Sequence, residues 1–363
     1  MRHLRVIIDG PQFPDSFQRS ISDNLKAMGH EVTCVQSNLS RRPGRIRYAL
    51  RSHLAKAVPA LERASWRRLI RTTRAVHPDL VLTDWYTPPE VVRELKDVCT
   101  AKVACWYVDS PMNLGRMYLL ACPYDAVFTK ETSLVAALRE KLGLQAHYLP
   151  ECCNPLAYRR VALSEQDYTK YGCDLAAMGS MHYWRARMLE VFEGYDLKIW
   201  GTNCPPWLVS PARQHYTNRY VAGEAKAKAL LAAKIVINII HLAEIDGVNG
   251  ALFQIAGCGA FQIADWKPSL PKLFEPEREI VTFRTRQELK EKVDYYLAHP
   301  EERREIAGRA YVRAQREHTY EKRLGRIFEV LGLATQAGRN QSGSVESLTE
   351  SRTEKREMSS LGL

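Results

Sequence analysis

The feature that most restricts the fold is an exchange of short apolar runs with amphipathic helical stretches, broken once and then resumed. Strands are expected at Leu4–Asp9, Glu31–Gln36, Asp79–Thr83, Val103–Val108, Ala126–Thr129 and Ala146–Leu149. Between them lie helical stretches marked by a Gly29 stop, by Pro88 and Pro89 at a first turn, and by Gly143 after Leu142. Strands that alternate with helices imply a parallel sheet covered on both faces. The pattern lapses over residues 150–172 and restarts with strands at Asp174–Met178, Leu197–Trp200, Lys234–Ile240, Ala260–Ala264 and Glu279–Phe283. Helices then dominate, over Arg286–Ala298, Glu301–Glu317 and Tyr320–Leu331. A chain of 363 residues is long for one core and suits two. The expected class is therefore α/β, with two doubly wound, Rossmann-like domains facing across a cleft. The boundaries read as 1–155, a linker at 156–172, a second domain at 173–317 and a C-terminal helix at 318–333. The polar, aperiodic residues 334–363 read as a disordered tail.

Several classes are disfavoured by the residues present. No run approaches the ~20 apolar residues of a membrane span, and the N-terminal strand is too short for a signal peptide, so a cytoplasmic protein is expected. Nine cysteines carry no Cys-x-x-Cys pair, which points to free thiols rather than to zinc or a disulfide framework. The net charge of +11 is concentrated in arginines and lysines between Arg41 and Arg74. Aromatic residues do not interleave with them, so nucleic acid is not expected as a partner. The alternatives are a solvated helical face, peripheral contact with an anionic membrane, or an acidic acceptor.

The most informative segment runs from Asp246 to Asp265, DGVNGALFQIAGCGAFQIAD, where an apolar strand gives way to a helix. Free N–H groups and the dipole at a helix start favour an anion. Gly247 and Gly250 would let the backbone approach a diphosphate. Asn249 can donate a further hydrogen bond or cap the helix, and Gln254 follows just over one turn later. Packing alone would also account for such a glycine-rich helix start.

This segment resembles the glycosyltransferase domain of the CgeB/YkvP-like spore-maturation proteins, relatives of glycosyltransferase family 4 with the two-lobed GT-B fold. The family's Gly-Val-Asn-x-Arg-x-Phe-Glu pattern is matched by Gly247, Val248, Asn249 and Phe253, with Ala256-Gly257 following close to the family's small residues. The similarity extends through Leu273–Pro276 and His299–Arg304 to Glu317–Tyr320; upstream it takes in Gly179-Ser180, Arg185, Arg187 and Trp200-Gly201. The resemblance implies a nucleotide-sugar donor as substrate, with no further cofactor. It sets Gly179, Ser180 and either Arg185 or Arg187 at the diphosphate, Gly201 at a strand end, and Tyr220 beside the base. Ala251 stands where the family has Arg, and Gln254 where it has the Glu that holds the ribose. Asp246 would then supply the missing carboxylate.

In the first half, Asp109 ends a strand at the cleft edge, as a candidate base for an acceptor hydroxyl or as an ordinary turn residue. Asp84 is a second candidate of this kind, while Gly10 and Gln12 are placed to touch an acceptor. His182 and His241 lie near the cleft edges, as bases or as packed histidines. No Asp-x-Asp motif follows a strand, so no metal is expected and protein donors would stabilise the leaving diphosphate. The expected reaction is transfer of a sugar to a hydroxyl of a glycan, protein or lipid-linked acceptor, with retained configuration. The alternative is a protein that kept the fold and lost the chemistry.

Overall fold

The computed structural model describes residues 3–37, 58–110, 117–202 and 204–333. Part of the basic stretch (41–57) and the C-terminal residues 334–363 lie outside the described residues. Two parallel sheets form the frame. The first contains β1 (Arg5–Asp9), β2 (Glu31–Val35), β3 (Leu80–Thr83), β4 (Lys102–Tyr107), β5 (Ala126–Thr129) and β6 (Ala146–Tyr148), in the order β2-β1-β3-β4-β5-β6. The second contains β7 (Cys173–Met178), β8 (Leu197–Trp200), β9 (Ala233–Asn238), β10 (Gln262–Asp265) and β11 (Val281–Phe283), in the order β11-β10-β9-β7-β8. This is the expected α/β class of two doubly wound sheets.

The central strands read as continuous apolar runs because helices cover both of their faces. β3 (Leu-Val-Leu-Thr) and β5 (Ala-Val-Phe-Thr) are buried at every position. On the basic helix Pro59–Val76, Trp66, Leu69 and Ile70 are buried, while Arg63, Arg67, Arg68, Arg71 and Arg74 face solvent.

Local signals fix the element ends. Ser16, Thr285 and Thr319 cap their helices through side-chain oxygens. The stretch expected as an irregular linker contains a helix, Glu165–Tyr171, started by a capping box between Ser164 and Asp167. A seven-residue helix of polar residues carries too little apolar periodicity to be read from the chain alone.

The chain crosses between lobes twice. After β6 it passes to the second lobe, and at residues 317–320 it returns alongside, with Cys153 N donating to His318 O at 2.7 Å and a bridge between Cys153 and Thr319. The last described helix, Tyr320–Val330, then buries Tyr320, Leu324, Ile327 and Phe328 in one cluster with Leu4, Val6, Ile21, Leu25 and Trp106 of the first lobe.

Candidate functional site

In open parallel sheets ligands bind beyond the carboxyl ends of the strands. Here the two sets of strand ends meet. Ser110, after β4, donates from Oγ to Ala243 O at 2.7 Å. Tyr220 donates to Pro14 O at 2.8 Å, and Gly223 N to Asp15 Oδ1 at 3.2 Å. The first lobe therefore rests on the second at both ends of the cleft.

Between those contacts lies a clasp of carboxyl groups that sequence reasoning did not find. Glu131, directly after β5, accepts through Oε2 from the amides of Asp246 and Gly247, at 2.8 and 3.0 Å. In return, Asp246 Oδ2 accepts from the Thr132 hydroxyl and from Ser133 N (2.8 Å for the latter), at the start of the helix Thr132–Leu142. Each lobe thus places a carboxyl group on donors of the other. Glu131 Oε1 and Asp246 Oδ1 are buried without a hydrogen-bond partner, and a proton held on Glu131 and donated to Asp246 would satisfy both. Burial and the bond with Asp246 push the Glu131 carboxyl up to about 8. Burial opposes the charge on Asp246 too, but Glu131, Thr132 and Ser133 outweigh it and hold that group below the ordinary carboxylate value.

Beside the clasp, Lys130 Nζ lies 2.9 Å from Glu244 and 3.6 Å from Glu151. The lysine is almost fully buried, yet Glu151 and Glu244 together overcome the cost of burial and raise its pKa. Asp109 acts on the same lysine by its charge and accepts from Ser110 N at 2.8 Å. The first lobe also holds Asp9 and Asp84 at the ends of β1 and β3. Both are buried, and burial plus the charge of Asp84 raises Asp9 to about 8. The position of Lys130-Glu131 directly after an apolar strand was the signal that could have singled out this pair.

This geometry corrects the expected role of the Gly247 helix start. The amides of 246 and 247 are closed by the Glu131 carboxyl group, not open to a diphosphate. A Cβ on Gly247 would lie 2.8 Å from Lys130 O and 2.9 Å from Glu131 Oε1, and one on Gly250 would lie 2.5 Å from Glu151 Oε1. Both glycines admit the facing lobe. Asp246 is engaged by that lobe and does not stand in for a ribose-binding carboxylate. Val248 and Phe253 are fully buried core residues, Phe253 packing on Phe274 and His318. Asn249 caps the helix Gly250–Cys258 and exchanges amide hydrogen bonds with Asn238 at 3.2 and 2.9 Å.

A second set of expected residues does come together. Gly179 and Gln254 line a cavity of about 160 Å³ together with Met178, Lys226, Asn238 and Ala251, near the ends of β7 and β9. Gly179 has φ +111°, and a Cβ there would meet the Arg185 guanidinium at 3.2 Å. That guanidinium donates to the carbonyls of Ser180 and Ile239. Arg185 is half-buried as a residue, but its charged end is surrounded closely enough for burial to draw its pKa down to about 10. It has no carboxylate partner among the described residues. Arg187, two residues on, is turned to solvent and pairs with Glu190 at 2.8 Å, so of the two only Arg185 lies against Gly179. Gly201 is a glycine because a Cβ would run into Tyr216 Oη and come within 2.6 Å of Gly179 O. Tyr220 is 54% exposed, with its hydroxyl engaged by the other lobe.

His182 and His241 stack edge-on at 4.7 Å. Burial, then the charges of Arg185 and His241, bring His182 down to about 4, and its Nδ1 accepts from Arg185 N at 3.3 Å. It is a neutral cap. Gly10, at φ +134°, closes on the Gln18 side chain, and Gln12 Nε2 reaches Gly10 O at 3.5 Å.

Against known proteins, residues 184–329 match the family described as glycosyl transferase-like. Spore protein CgeB of Bacillus subtilis (strain 168) is 24% identical over 227 residues, 58% of this chain and 68% of CgeB. Among solved structures, sucrose-phosphate synthase from Thermosynechococcus elongatus superposes with a TM-score of 0.66 at 15% identity, over 92% of this chain and 100% of that one. HepE of Anabaena, solved in complex with UDP-glucose, gives 0.65 at 12% identity, over 92% and 100%. A glycosyltransferase from Rickettsia africae ESF-5 gives 0.64 at 11%, over 91% and 98%. Both sheets and the lobe arrangement agree with the two-lobed GT-B fold, and residues 184–329 carry a glycosyl transferase-like domain in a chain similar to CgeB.

Proposed function

We propose that the protein transfers a glycosyl unit from a nucleotide sugar to an acceptor hydroxyl, with retained configuration and without a metal ion. The observation that carries this reading is the cavity at the ends of β7 and β9. Gly179 lines it without a side chain, and Arg185, packed against Gly179, has a guanidinium whose neighbours are carbonyls rather than a carboxylate. A planar fork of N–H donors suits the two phosphates of a leaving diphosphate. HepE, similar in fold alone, was solved with UDP-glucose, which supports a donor of that class. Asp109, across the cleft and next to Lys130, is the group to orient or deprotonate the acceptor.

A panel of nucleotide sugars, followed by hydrolysis and transfer assays, tests the reading. Turnover of one of them that persists in a chelator and keeps the anomeric configuration by NMR is the expected result. Absence of binding to every donor would defeat it. Replacing Asp109 by Asn is expected to lower kcat by roughly 10²–10⁴ with donor affinity unchanged. A second reading, a binding protein with weakened chemistry, is favoured by the closure of the 246–247 amides by Glu131. Donor binding without turnover, unaffected by the Asp109 change, would select it.

A further inference from the structure

Cations on this protein's helices are often offset within a turn. Lys290 pairs with Asp294, Arg309 with Glu305 and Arg313 with Glu317, each at i,i+4. The helix Pro59–Val76 departs from this. Its exposed charged side chains are Arg63, Arg67, Arg68, Arg71 and Arg74. At 3.6 residues per turn they share an arc of about 140° and a length of about 16 Å. Glu62, the one acidic residue of the helix, lies outside that arc and accepts from the Tyr118 hydroxyl at 3.0 Å.

Arg63 and Arg74 each have a local reason. Arg63 pairs with Glu94 of the helix Pro89–Val98 at 3.0 Å, and Arg74 sits in the last turn, where the helix dipole favours a cation. Arg67, Arg68 and Arg71 have neither, and no ion pair joins them to a carboxylate among the described residues. Instead, Arg71 lies one turn from both Arg67 and Arg68, at i,i+4 and i,i+3, spacings at which like charges destabilise a helix. Glutamine would solvate the same face without that repulsion and with a comparable helix propensity. The three arginines therefore weaken the isolated chain, and what offsets them is an external anion.

The surroundings select the kind of anion. Val58 and Leu61, at the first turn, are 41% and 48% exposed, and Leu61 borders the arc beside Arg68. Apolar side chains add to binding at a lipid boundary and add nothing against a soluble polyanion. The one aromatic residue of the helix, Trp66, is buried, so no ring is left to stack on a base. The helix lies flat against β1 and β2 and beside Pro89–Val98, so it cannot enter a groove of a duplex. Guanidinium forks match the phosphate oxygens of lipid headgroups. We propose that this face docks the first lobe on a membrane rich in anionic phospholipid. The inference goes beyond the glycosyl-transfer reading and does not depend on it.

Titration of the full chain with vesicles of phosphatidylcholine, with and without phosphatidylglycerol, tests the proposal at about 0.1 M salt. Binding is expected only with the anionic lipid. Each arginine at such a surface strengthens binding about fivefold, so Arg67→Gln/Arg68→Gln/Arg71→Gln is expected to bind about 100-fold more weakly. Arg278→Gln/Arg304→Gln/Arg316→Gln removes the same charge from the second lobe, where each arginine has a glutamate partner, and should stay within about fivefold of wild type. In urea the first variant should unfold at the wild-type midpoint or above it, because a repulsion has been relieved. Equal losses in the two variants, no binding to anionic vesicles, or a lowered midpoint in the first variant would each overturn the inference. So would binding of duplex DNA through the same three arginines with vesicles left unbound. None of these results touches the donor reading, since nucleoside diphosphate binding should be the same in both variants and wild type.

Discussion

Replacing Glu131 by glutamine tests the clasp between the lobes. The side chain keeps its shape. Its carbonyl oxygen can accept from the Asp246 and Gly247 amides as Glu131 does at 2.8 and 3.0 Å, and its N–H groups can donate permanently to Asp246. In the native protein that donor is a proton, present only while Glu131 stays protonated. The Glu131 carboxyl rises from 4.5 to about 8 in the folded chain, so the folded state holds more protons than the unfolded state between those values. Stability from this group is therefore full below pH 4.5 and is lost as pH rises through 8. Linkage over pH 6 to 9 gives a loss on the order of 2–3 kcal/mol. Asp246 is held below its ordinary value and stays ionised across this window, so it contributes no slope there. Asp9, also raised to about 8, contributes equally to both proteins. Urea denaturation of wild type and Glu131→Gln at pH 6, 7, 8 and 9 isolates the term as a difference of differences. The variant is expected to lose roughly 2–3 kcal/mol less over the range. Parallel curves would refute the shared proton, whatever the absolute stabilities.

Two further substitutions test the second lobe. Arg185→Lys keeps a charge but loses the fork, and should weaken nucleoside diphosphate binding by about tenfold in a titration while wild-type unfolding is retained. Gly201→Ala forces a methyl group against Tyr216 and the Gly179 carbonyl; thermal unfolding should show a cost of about 1–3 kcal/mol, and an unchanged midpoint would show that the loop yields freely.

The strands were legible because both sheets are covered on both faces, so their residues form uninterrupted apolar runs such as Leu80–Thr83 and Ala126–Thr129. Gly179, Arg185 and Gln254 were legible through the family resemblance, and the fold brings Gly179 and Gln254 to one cavity with Arg185 against Gly179. What stayed hidden depends on pairs distant in sequence. Gly247 and Gly250 look like a phosphate cradle along the chain, yet their missing side chains make room for Glu131 and Glu151, more than 90 positions away. The same applies to Asp246, whose charge faces a helix of the other lobe. Lys226 could not be tied to Gln254 or Asp15 without knowing how the first lobe's β1 loop lands on the second.

The return of the helix Tyr320–Val330 to the first lobe bears on how the chain is made. A ribosome delivers the six-stranded lobe first, but Tyr320, Leu324, Ile327 and Phe328, which seal its core beside Leu4 and Trp106, emerge only after the second lobe. That lobe stays unsealed until synthesis has passed residue 331, and a version cut after β6 would expose the apolar surface those four side chains cover. Maturation of the first lobe thus waits on translation of the second, so a finished first lobe never appears without its partner lobe.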